Sequence, residues 1–312
     1  MNTILEAVQL SKWFRHPWTY RRVPAVEELS FSIRAGEVFG LVGHNGAGKT
    51  TTFKMLVGLL RPTGGEVLWE GRRSQESDLR RFVGFAPEQP YFYDHLTVRE
   101  TLDFYGQLYG LAARERRQRI AELAERFSFA HKLEARMRTL SKGNLQRVAV
   151  AQAILHRPRL AILDEPMSGL DPVGRRSMRE LIAALAGEGT TVLFSSHVLS
   201  DTEMLCQRVA ILAQGRLREV VDLTASSGNG LAYVLTARKV PPQLWEKLRA
   251  DPALSVAGSA EDARITVSDQ GQLGPLLAAL ASSAATIESL QPARPSLEER
   301  FLRYVPQGAS HD

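Results

Sequence analysis

A glycine-rich turn between an apolar run and a helical pattern constrains this sequence more than any other feature. Residues 38–42 (Val-Phe-Gly-Leu-Val) are typical of a buried strand, and residues 49–60 have helical periodicity that ends before Pro62. The turn between them, Gly43 to Thr50, has the spacing Gly-x-x-x-x-Gly-Lys-Thr. In such a loop the backbone N–H groups and the positive end of the helix bind phosphate, and glycine lets the backbone approach the phosphate closely. The sequence therefore predicts a phosphate-binding site on an α/β fold.

This pattern gives a role to the side chains of the loop. Lys49 would supply a point charge to the β- and γ-phosphates of a nucleotide, and the Thr50 hydroxyl can ligate Mg²⁺. The residues that we expect to form the binding loop are Gly43, Asn45, Gly46, Ala47, Gly48, Lys49, Thr50 and Thr51.

Two further apolar runs end in side chains that suit phosphate chemistry. Residues 159–163 lead to Asp164 and Glu165, and residues 190–195 lead to His197. Ligands lie at the carboxyl ends of the strands in open parallel sheets, where Asp164 would hold Mg²⁺ or its waters. Glu165 could position an attacking water or cap the helix that follows it. His197 could reach a terminal phosphate or be an ordinary hydrogen-bonded histidine.

Composition agrees with a soluble globular protein and excludes several other classes. The 312 residues are 44% hydrophobic and 23% charged, which is ordinary. Cys206 is the only cysteine, so an intramolecular disulfide is excluded, and we expect a cytoplasmic setting because no secretory signal is recognisable. The sequence contains no apolar run long enough to span a bilayer and no zinc-ligand spacing. The net charge is +5, and the basic residues are spread along the chain apart from residues 15–22 and 114–119, so we expect no nucleic-acid partner.

The order of the predicted elements divides the chain into parts. Residues 90–156 have helical periodicity, with a capping-box pattern at Thr97, and form a helical insert within the α/β frame. Small residues at 223–230 indicate a linker. Residues 231–312 have the order β-α-β-β-α-β followed by a helix, which predicts a small ferredoxin-like α+β domain. We therefore predict a nucleotide-binding domain over 1–222 and an accessory domain over 231–312.

Residues 140–147 (Leu-Ser-Lys-Gly-Asn-Leu-Gln-Arg) resemble the signature of ATP-binding cassette (ABC) proteins, whose common form is Leu-Ser-Gly-Gly-Gln. The segment precedes Asp164 and lies in the helical insert, as in that family. The stretch 168–171 (Ser-Gly-Leu-Asp) resembles the D-loop, and His197 takes the place of the switch histidine. Together with the phosphate loop, these motifs identify residues 4–222 as a member of the ABC family.

The resemblance implies a P-loop NTPase fold with a RecA-like core, an antiparallel β subdomain and a helical subdomain. It implies an ATPase that uses ATP and Mg²⁺, in which Glu165 polarises the attacking water and His197 contacts the γ-phosphate. Two chains would hold two ATP molecules between them, and Asp171 would belong to the D-loop at that interface. The residues that would act on the ATP of the second chain are Ser141, Lys142, Gly143 and Asn144.

Two positions of the family pattern leave alternatives open. Phe14 takes the position of the aromatic residue that stacks on adenine, but Trp13 stands beside it. Glu88 follows Pro87 at the Q-loop position, where the family has glutamine, and Gln89 comes one residue later. Either residue could line the site, and the carboxylate of Glu88 could ligate Mg²⁺ together with Thr50 and Asp164.

Lys142 and Asn144, which replace the common Gly and Gln of the signature, and residues 295–302 resemble cassettes of ABC-2 type exporters. The leading prediction is the ATP-binding and hydrolysing subunit of a bacterial ABC exporter. It would act as a homodimer on the inner face of the cell membrane, bound to a separate permease. One alternative is a soluble ABC ATPase that acts on nucleic acid or the ribosome, although the sequence lacks the tandem cassettes and coiled coils usual there. Another is the cassette of a motility or cell-envelope machine.

Overall fold

The computed structural model describes most of the chain as two compact units. The described residues are 2–16, 18–73, 79, 81–224, 233–267, 269–292 and 296–304. The first unit comprises Met1–Thr224 and Phe301–Asp312, and the second comprises Ala225–Arg300. The predicted linker 223–230 lies outside the described residues from residue 225 onward.

The first unit contains two sheets and a group of helices. Its strands are Thr3–Arg15 (β1), Arg22–Arg34 (β2), Val38–Val42 (β3), Gly64–Trp69 (β4), Arg72–Arg73 (β5), Val83–Ala86 (β6), Leu160–Leu163 (β7), Thr191–Ser196 (β8), Arg208–Ala213 (β9) and Arg216–Asp222 (β10). Its α-helices are Lys49–Leu56 (α1), Val98–Leu108 (α2), Ala113–Arg126 (α3), Lys142–Ala153 (α4), Pro172–Gly187 (α5) and Leu199–Leu205 (α6).

The central sheet brings the predicted motifs to one edge. Its strand order is β10-β9-β3-β8-β7-β6, with parallel pairing from β9 through to β6 and an antiparallel β10. Strands β3, β7 and β8 are buried along their whole length, as expected for parallel strands covered on both faces. Because they are neighbours and parallel, the residues that follow Val42, Leu163 and Ser196 lie at the same edge of the sheet.

The second sheet is antiparallel and has the order β2-β1-β4-β5. The sequence pattern predicts a loop over residues 16–24, but the β1–β2 pairing continues to Arg15 opposite Arg22. Strand-forming Trp13, Phe14 and Val23 extend the hairpin. Pro24 is tolerated because β2 lies at the edge of the sheet.

The helical insert is confirmed, and its first helix begins as the sequence predicts. The Thr97 hydroxyl accepts a hydrogen bond from the Glu100 N–H at 3.1 Å, and the Glu100 carboxylate accepts one from the Thr97 N–H at 2.8 Å. This reciprocal pair satisfies donors that the first turn of helix α2 would otherwise leave unpaired. Among the described residues, no helix is both long enough and apolar enough to cross a bilayer.

The second unit has the predicted order of elements. They are Tyr233–Arg238 (β11), Pro242–Ala250 (α7), Leu254–Ser259 (β12), Asp262–Val267 (β13), Gln270–Ala281 (α8) and Thr286–Pro292 (β14), followed by Leu297–Leu302 (α9). The sheet has the order β12-β13-β11-β14 and is antiparallel throughout. Buried Leu235, Ile265 and Leu280 belong to a core cluster made of residues of this unit.

Candidate nucleotide site

The loop between β3 and α1 needs its glycines for conformation and for packing. Gly46 and Gly48 have φ angles of 78° and 105°, in the region that favours glycine. A Cβ atom on Gly48 would lie 2.6 Å from the carbonyl oxygen of Ala25, and one on Gly43 would lie 2.6 Å from that of Leu212. Both distances are too short for a carbon atom, so the loop packs against its neighbours at positions that only glycine fits.

Lys49 places a positive charge inside this loop. Its side chain is buried, and its ammonium group donates a hydrogen bond to the Gly43 carbonyl oxygen at 2.7 Å. The same nitrogen lies 3.3 Å from Oε1 of Glu165. The loop and the end of β7 are therefore joined by a buried ion pair.

Asp164 has an oxygen atom free for a cation. The residue is 1% exposed, and its Oδ1 accepts a hydrogen bond from the Ser195 hydroxyl at 2.7 Å. Its Oδ2 is buried and has no hydrogen-bond partner among the described residues. A buried carboxylate oxygen is costly to leave unpaired, and carboxylate oxygens are the ligands that Mg²⁺ prefers. The described residues contain no cluster of three or more His, Cys, Asp or Glu side chains that could hold a metal ion alone, whereas Mg²⁺ needs only one or two carboxylates beside substrate phosphates.

Glu165 is held by two groups in a strained backbone conformation. Its φ angle is 47°, which is uncommon for a residue other than glycine and is often found at functional sites. Besides the contact with Lys49, Oε2 lies 2.8 Å from Nδ1 of His197. An ionised carboxylate can only accept, so Nδ1 carries the hydrogen and Nε2 is left to face solvent or a ligand. Glu165 is buried, while the side chain of His197 is half exposed.

Ser195 holds these residues in place, although no sequence motif predicts a role for it. Its hydroxyl donates to Asp164 and accepts a hydrogen bond from the Glu165 N–H at 2.8 Å. One hydroxyl on β8 thus fixes both carboxylate residues that follow β7. The only signal in the sequence is its place at the end of an apolar run, two residues before His197.

A cavity of about 500 Å³ opens over this edge of the sheet. It is lined by Ala25, His44, Asn45, Gly46, Ala47, Gly48, Lys49, Thr50, Thr51, Glu88, Glu165, Ser168 and His197. Every predicted loop residue except Gly43 contributes to its wall, and Glu88 contributes where Gln89 does not. Ala25, His44 and Ser168 also line the cavity, although no sequence motif predicts a ligand contact for them.

Other candidate residues lie outside this cavity in the same chain. Phe14 is exposed, and the ammonium group of Lys12 lies 5.6 Å from its ring centre. Ser141 caps helix α4 by accepting from the Asn144 N–H at 3.4 Å. Asp171 caps helix α5 by accepting from the Gly174 N–H at 2.7 Å. The roles of these residues toward a nucleotide stay predictions.

The signature and the D-loop stretch contact each other within the chain. The side chain of Lys142 lies against Gly169, where an added Cβ would be 2.3 Å from the Lys142 nitrogen. A Cβ on Gly143 would be in ordinary contact with Leu170, at 3.5 Å from its side chain. The N-terminal end of α4 therefore packs on residues 169–170.

An ion cluster around one buried carboxylate joins the helices that follow the D-loop stretch and His197. Arg175 and Arg179, one turn apart on α5, donate to opposite oxygens of Asp201 at 2.9 and 2.6 Å. Asp201 lies in the first turn of α6, four residues after His197, and is buried. The cluster holds α5 and α6 together beside the site.

Comparisons with known proteins agree with this geometry. The family described as ABC transporter matches residues 26–168. An uncharacterised ABC transporter ATP-binding protein of Synechocystis sp. is 39% identical over 97% of this chain and 84% of its own. The bacitracin transport ATP-binding protein of Bacillus licheniformis is 38% identical over 71% of this chain and 70% of its own. A solved ATP-binding subunit of an ABC transporter is 33% identical over 70% of this chain and 90% of its own, with a TM-score of 0.62.

Proposed function

Since this chain belongs to the family of ABC transporter ATP-binding proteins, which are ATPases, we propose that it powers a separate membrane permease of the ABC-2 exporter type. The main observation behind the proposed chemistry is the contact of buried Glu165 with both Lys49 and His197, next in sequence to Asp164. Export is supported by the Lys142 and Asn144 signature variant and by the relative named for bacitracin transport. On this proposal the chain works in the cytoplasm at the inner face of the cell membrane.

Each polar group at the sheet edge has a place in ATP hydrolysis. Lys49 and the loop N–H groups bind the phosphates, and Glu165 orients the attacking water by accepting a hydrogen bond from it. His197 turns its second ring nitrogen toward the terminal phosphate. Thr50 and Asp164, with Glu88 as a further candidate, would hold Mg²⁺, which would neutralise negative charge on the phosphates.

The signature residues require a second copy of the chain. Ser141 is exposed at the N-terminal end of α4 and does not line the cavity of its own chain. Helix N-termini favour anions, so this end suits the terminal phosphate of an ATP bound to the partner. We therefore infer a homodimer in which each ATP is bound by one chain and closed over by the signature of the other.

Exposed apolar side chains offer a surface that suits the permease. Leu59, Tyr91, Tyr93 and Leu108 are exposed large apolar side chains. Leu59 and Leu108 line a groove of about 970 Å³ whose walls also include Phe85 and Tyr105. Exposed apolar surface of this extent marks interaction sites. Tyr91 and Tyr93 follow Glu88 closely in sequence, so a partner bound there would contact a segment that reaches the nucleotide cavity.

Purification of the native complex from membranes tests this proposal. We expect an integral membrane protein to co-purify with the full-length chain, and Leu108→Ser to lower its yield several-fold because an apolar contact is lost. Met204→Ser is the matched control, since Met204 is 71% exposed and Leu108 is 67% exposed. Recovery of ribosomal protein or nucleic acid in place of a membrane protein would contradict the proposal and favour the soluble alternative.

A truncated chain tests the proposed domain boundary. The described core residues of the first unit all precede Asp222, and those of the second all follow Tyr233. We expect residues 1–224 to fold and to bind ATP, with some loss of stability because Phe301–Asp312 group with the first unit. The measurement is the rise in Tm on adding ATP. Aggregated protein, or folded protein without this rise, would show that the boundary is wrong.

A further inference from the structure

The far end of the β1–β2 hairpin concentrates exposed aromatic side chains. We define the hairpin tip as residues 12–16 and 18–24. Its exposed large apolar residues are Trp13, Phe14, Trp18, Tyr20 and Val23, with Trp18 86% and Tyr20 76% exposed. A patch of this kind on a folded protein indicates an interaction surface.

The hairpin tip is also strongly basic. It contains Lys12, Arg15, Arg21 and Arg22, and no aspartate or glutamate occurs between residues 12 and 24. Among the ion pairs of the described residues, none includes Arg15, Arg21 or Arg22. Their charges are therefore available to an anionic partner.

The base of the hairpin tip is anchored, and its end projects. Strand β4 pairs with β1 only as far as Ser11 opposite Gly64. At the base, the Trp13 N–H donates to the Thr63 hydroxyl at 3.2 Å, and the Lys12 ammonium group donates to the Arg61 carbonyl oxygen at 2.8 Å. Beyond that, β1 and β2 form a two-stranded ribbon, which cannot bury aromatic side chains by itself.

The turn at the end of the ribbon is ordered by His16. The His16 carbonyl oxygen accepts from the Tyr20 N–H at 2.9 Å, and its N–H donates to the Arg21 carbonyl oxygen at 2.9 Å. Its Nδ1 accepts from the N–H groups of Trp18 and Thr19, both at 3.3 Å. Hydrogen bonds of His16 thus hold the described residues of the turn, while the Trp18 and Tyr20 side chains are exposed to solvent.

The chemistry of this turn matches the interface of a lipid bilayer. Tryptophan and tyrosine are enriched at the headgroup level of membranes, and arginine is attracted to anionic lipid phosphates. Exposed Trp18 and Tyr20 side chains can enter a planar interface, whereas single-stranded nucleic acid is bound along a basic groove. We propose that the hairpin tip binds the surface of membranes that contain anionic phospholipid, with Trp18 and Tyr20 among the headgroups and the arginines on the phosphates.

Vesicle binding by the purified full-length protein tests this inference without a permease. We expect the protein to co-sediment with phosphatidylglycerol-containing vesicles, to show a blue shift of tryptophan fluorescence, and to bind pure phosphatidylcholine vesicles far less. High salt should weaken the binding, because attraction to a charged surface is screened. Trp18→Ala with Tyr20→Ala, and separately Arg21→Gln with Arg22→Gln, should each lower the partition coefficient by about tenfold or more.

Matched controls show whether weaker vesicle binding is due to the hairpin tip itself or to the loss of charge or apolar surface anywhere on the protein. Arg157→Gln with Arg176→Gln removes the same charge from exposed positions elsewhere, and Met204→Ala removes an exposed apolar side chain. Both should bind vesicles as the unchanged chain does, and no hairpin variant should alter ATP turnover measured without lipid. Equal binding by all variants, no binding to anionic vesicles, or binding to an oligonucleotide alone would overturn the inference.

The inference and the proposed function fail separately. A chain that binds anionic vesicles but never co-purifies with a membrane protein would contradict the proposed permease alone. If the chain co-purifies with a permease but does not bind vesicles, only the proposed lipid contact is contradicted.

Discussion

Replacing Glu165 with glutamine is expected to slow ATP hydrolysis by roughly 10²-fold or more while ATP still binds. The substitution keeps the size of the side chain but removes the charge that would orient the attacking water. Only one of the two terminal atoms of glutamine accepts hydrogen bonds, so it cannot replace both carboxylate contacts, to Lys49 at 3.3 Å and to His197 at 2.8 Å.

Unhydrolysed ATP should then hold two chains together. We expect the Glu165→Gln protein to elute as a dimer from a sizing column with ATP and Mg²⁺, and steady-state phosphate release gives the turnover. Glu180→Gln is a suitable control, because Glu180 is exposed on α5 and pairs only with the neighbouring Arg176 among the described residues. A monomeric Glu165→Gln protein, or one with the turnover of the unchanged chain, would refute the role assigned to Glu165.

Replacing Lys49 with alanine is expected to weaken ATP binding by about 1.5–3 kcal/mol, or roughly ten- to more than a hundredfold. The reason is the loss of a charge-assisted hydrogen bond to the phosphates. Among the described residues that line the cavity, Lys49 is the only lysine or arginine, and its nitrogen lies 2.7 Å from the Gly43 carbonyl oxygen.

Calorimetric titration with ATP measures this effect directly. Lys54→Ala is the matched control, since it removes the same group from an exposed position in the last turn of the same helix. The Tm of both variants without nucleotide should also be compared, because loss of Lys49 leaves the buried Glu165 carboxylate without its cation. ATP affinity unchanged by Lys49→Ala would exclude the proposed phosphate contact.

The sequence predicts the edge of the central sheet well because each of its signals is local. A glycine spacing, apolar runs that end in Asp164 and His197, and a capping box at Thr97 depend on residues that are close in the chain. Parallel strands then place the ends of the runs together without further information. Local signals of this kind predict the central sheet, the helical insert and the order of elements in the second unit.

Features that depend on contacts between distant segments of the chain cannot be predicted from local sequence patterns. The bond from Ser195 to Asp164 spans 31 residues and joins two strands. The positive φ angle of Glu165 could not be predicted, because such angles are expected from the sequence mainly at glycine. The sequence does not predict the extension of the hairpin to Arg15 and Arg22, because Pro24 indicates a loop. In the structure Pro24 lies in an edge strand, where proline is accommodated.

The ion cluster around Asp201 makes the flank of the site a mechanical linkage. Asp171 caps the helix that carries Arg175 and Arg179, and Asp201 lies one turn beyond His197. Because a single carboxylate is shared by both guanidinium groups, α5 cannot shift along its axis without pulling α6 or breaking two charge-assisted hydrogen bonds. A shift of α5 along its axis would therefore strain the contact with Asp201, four residues after His197.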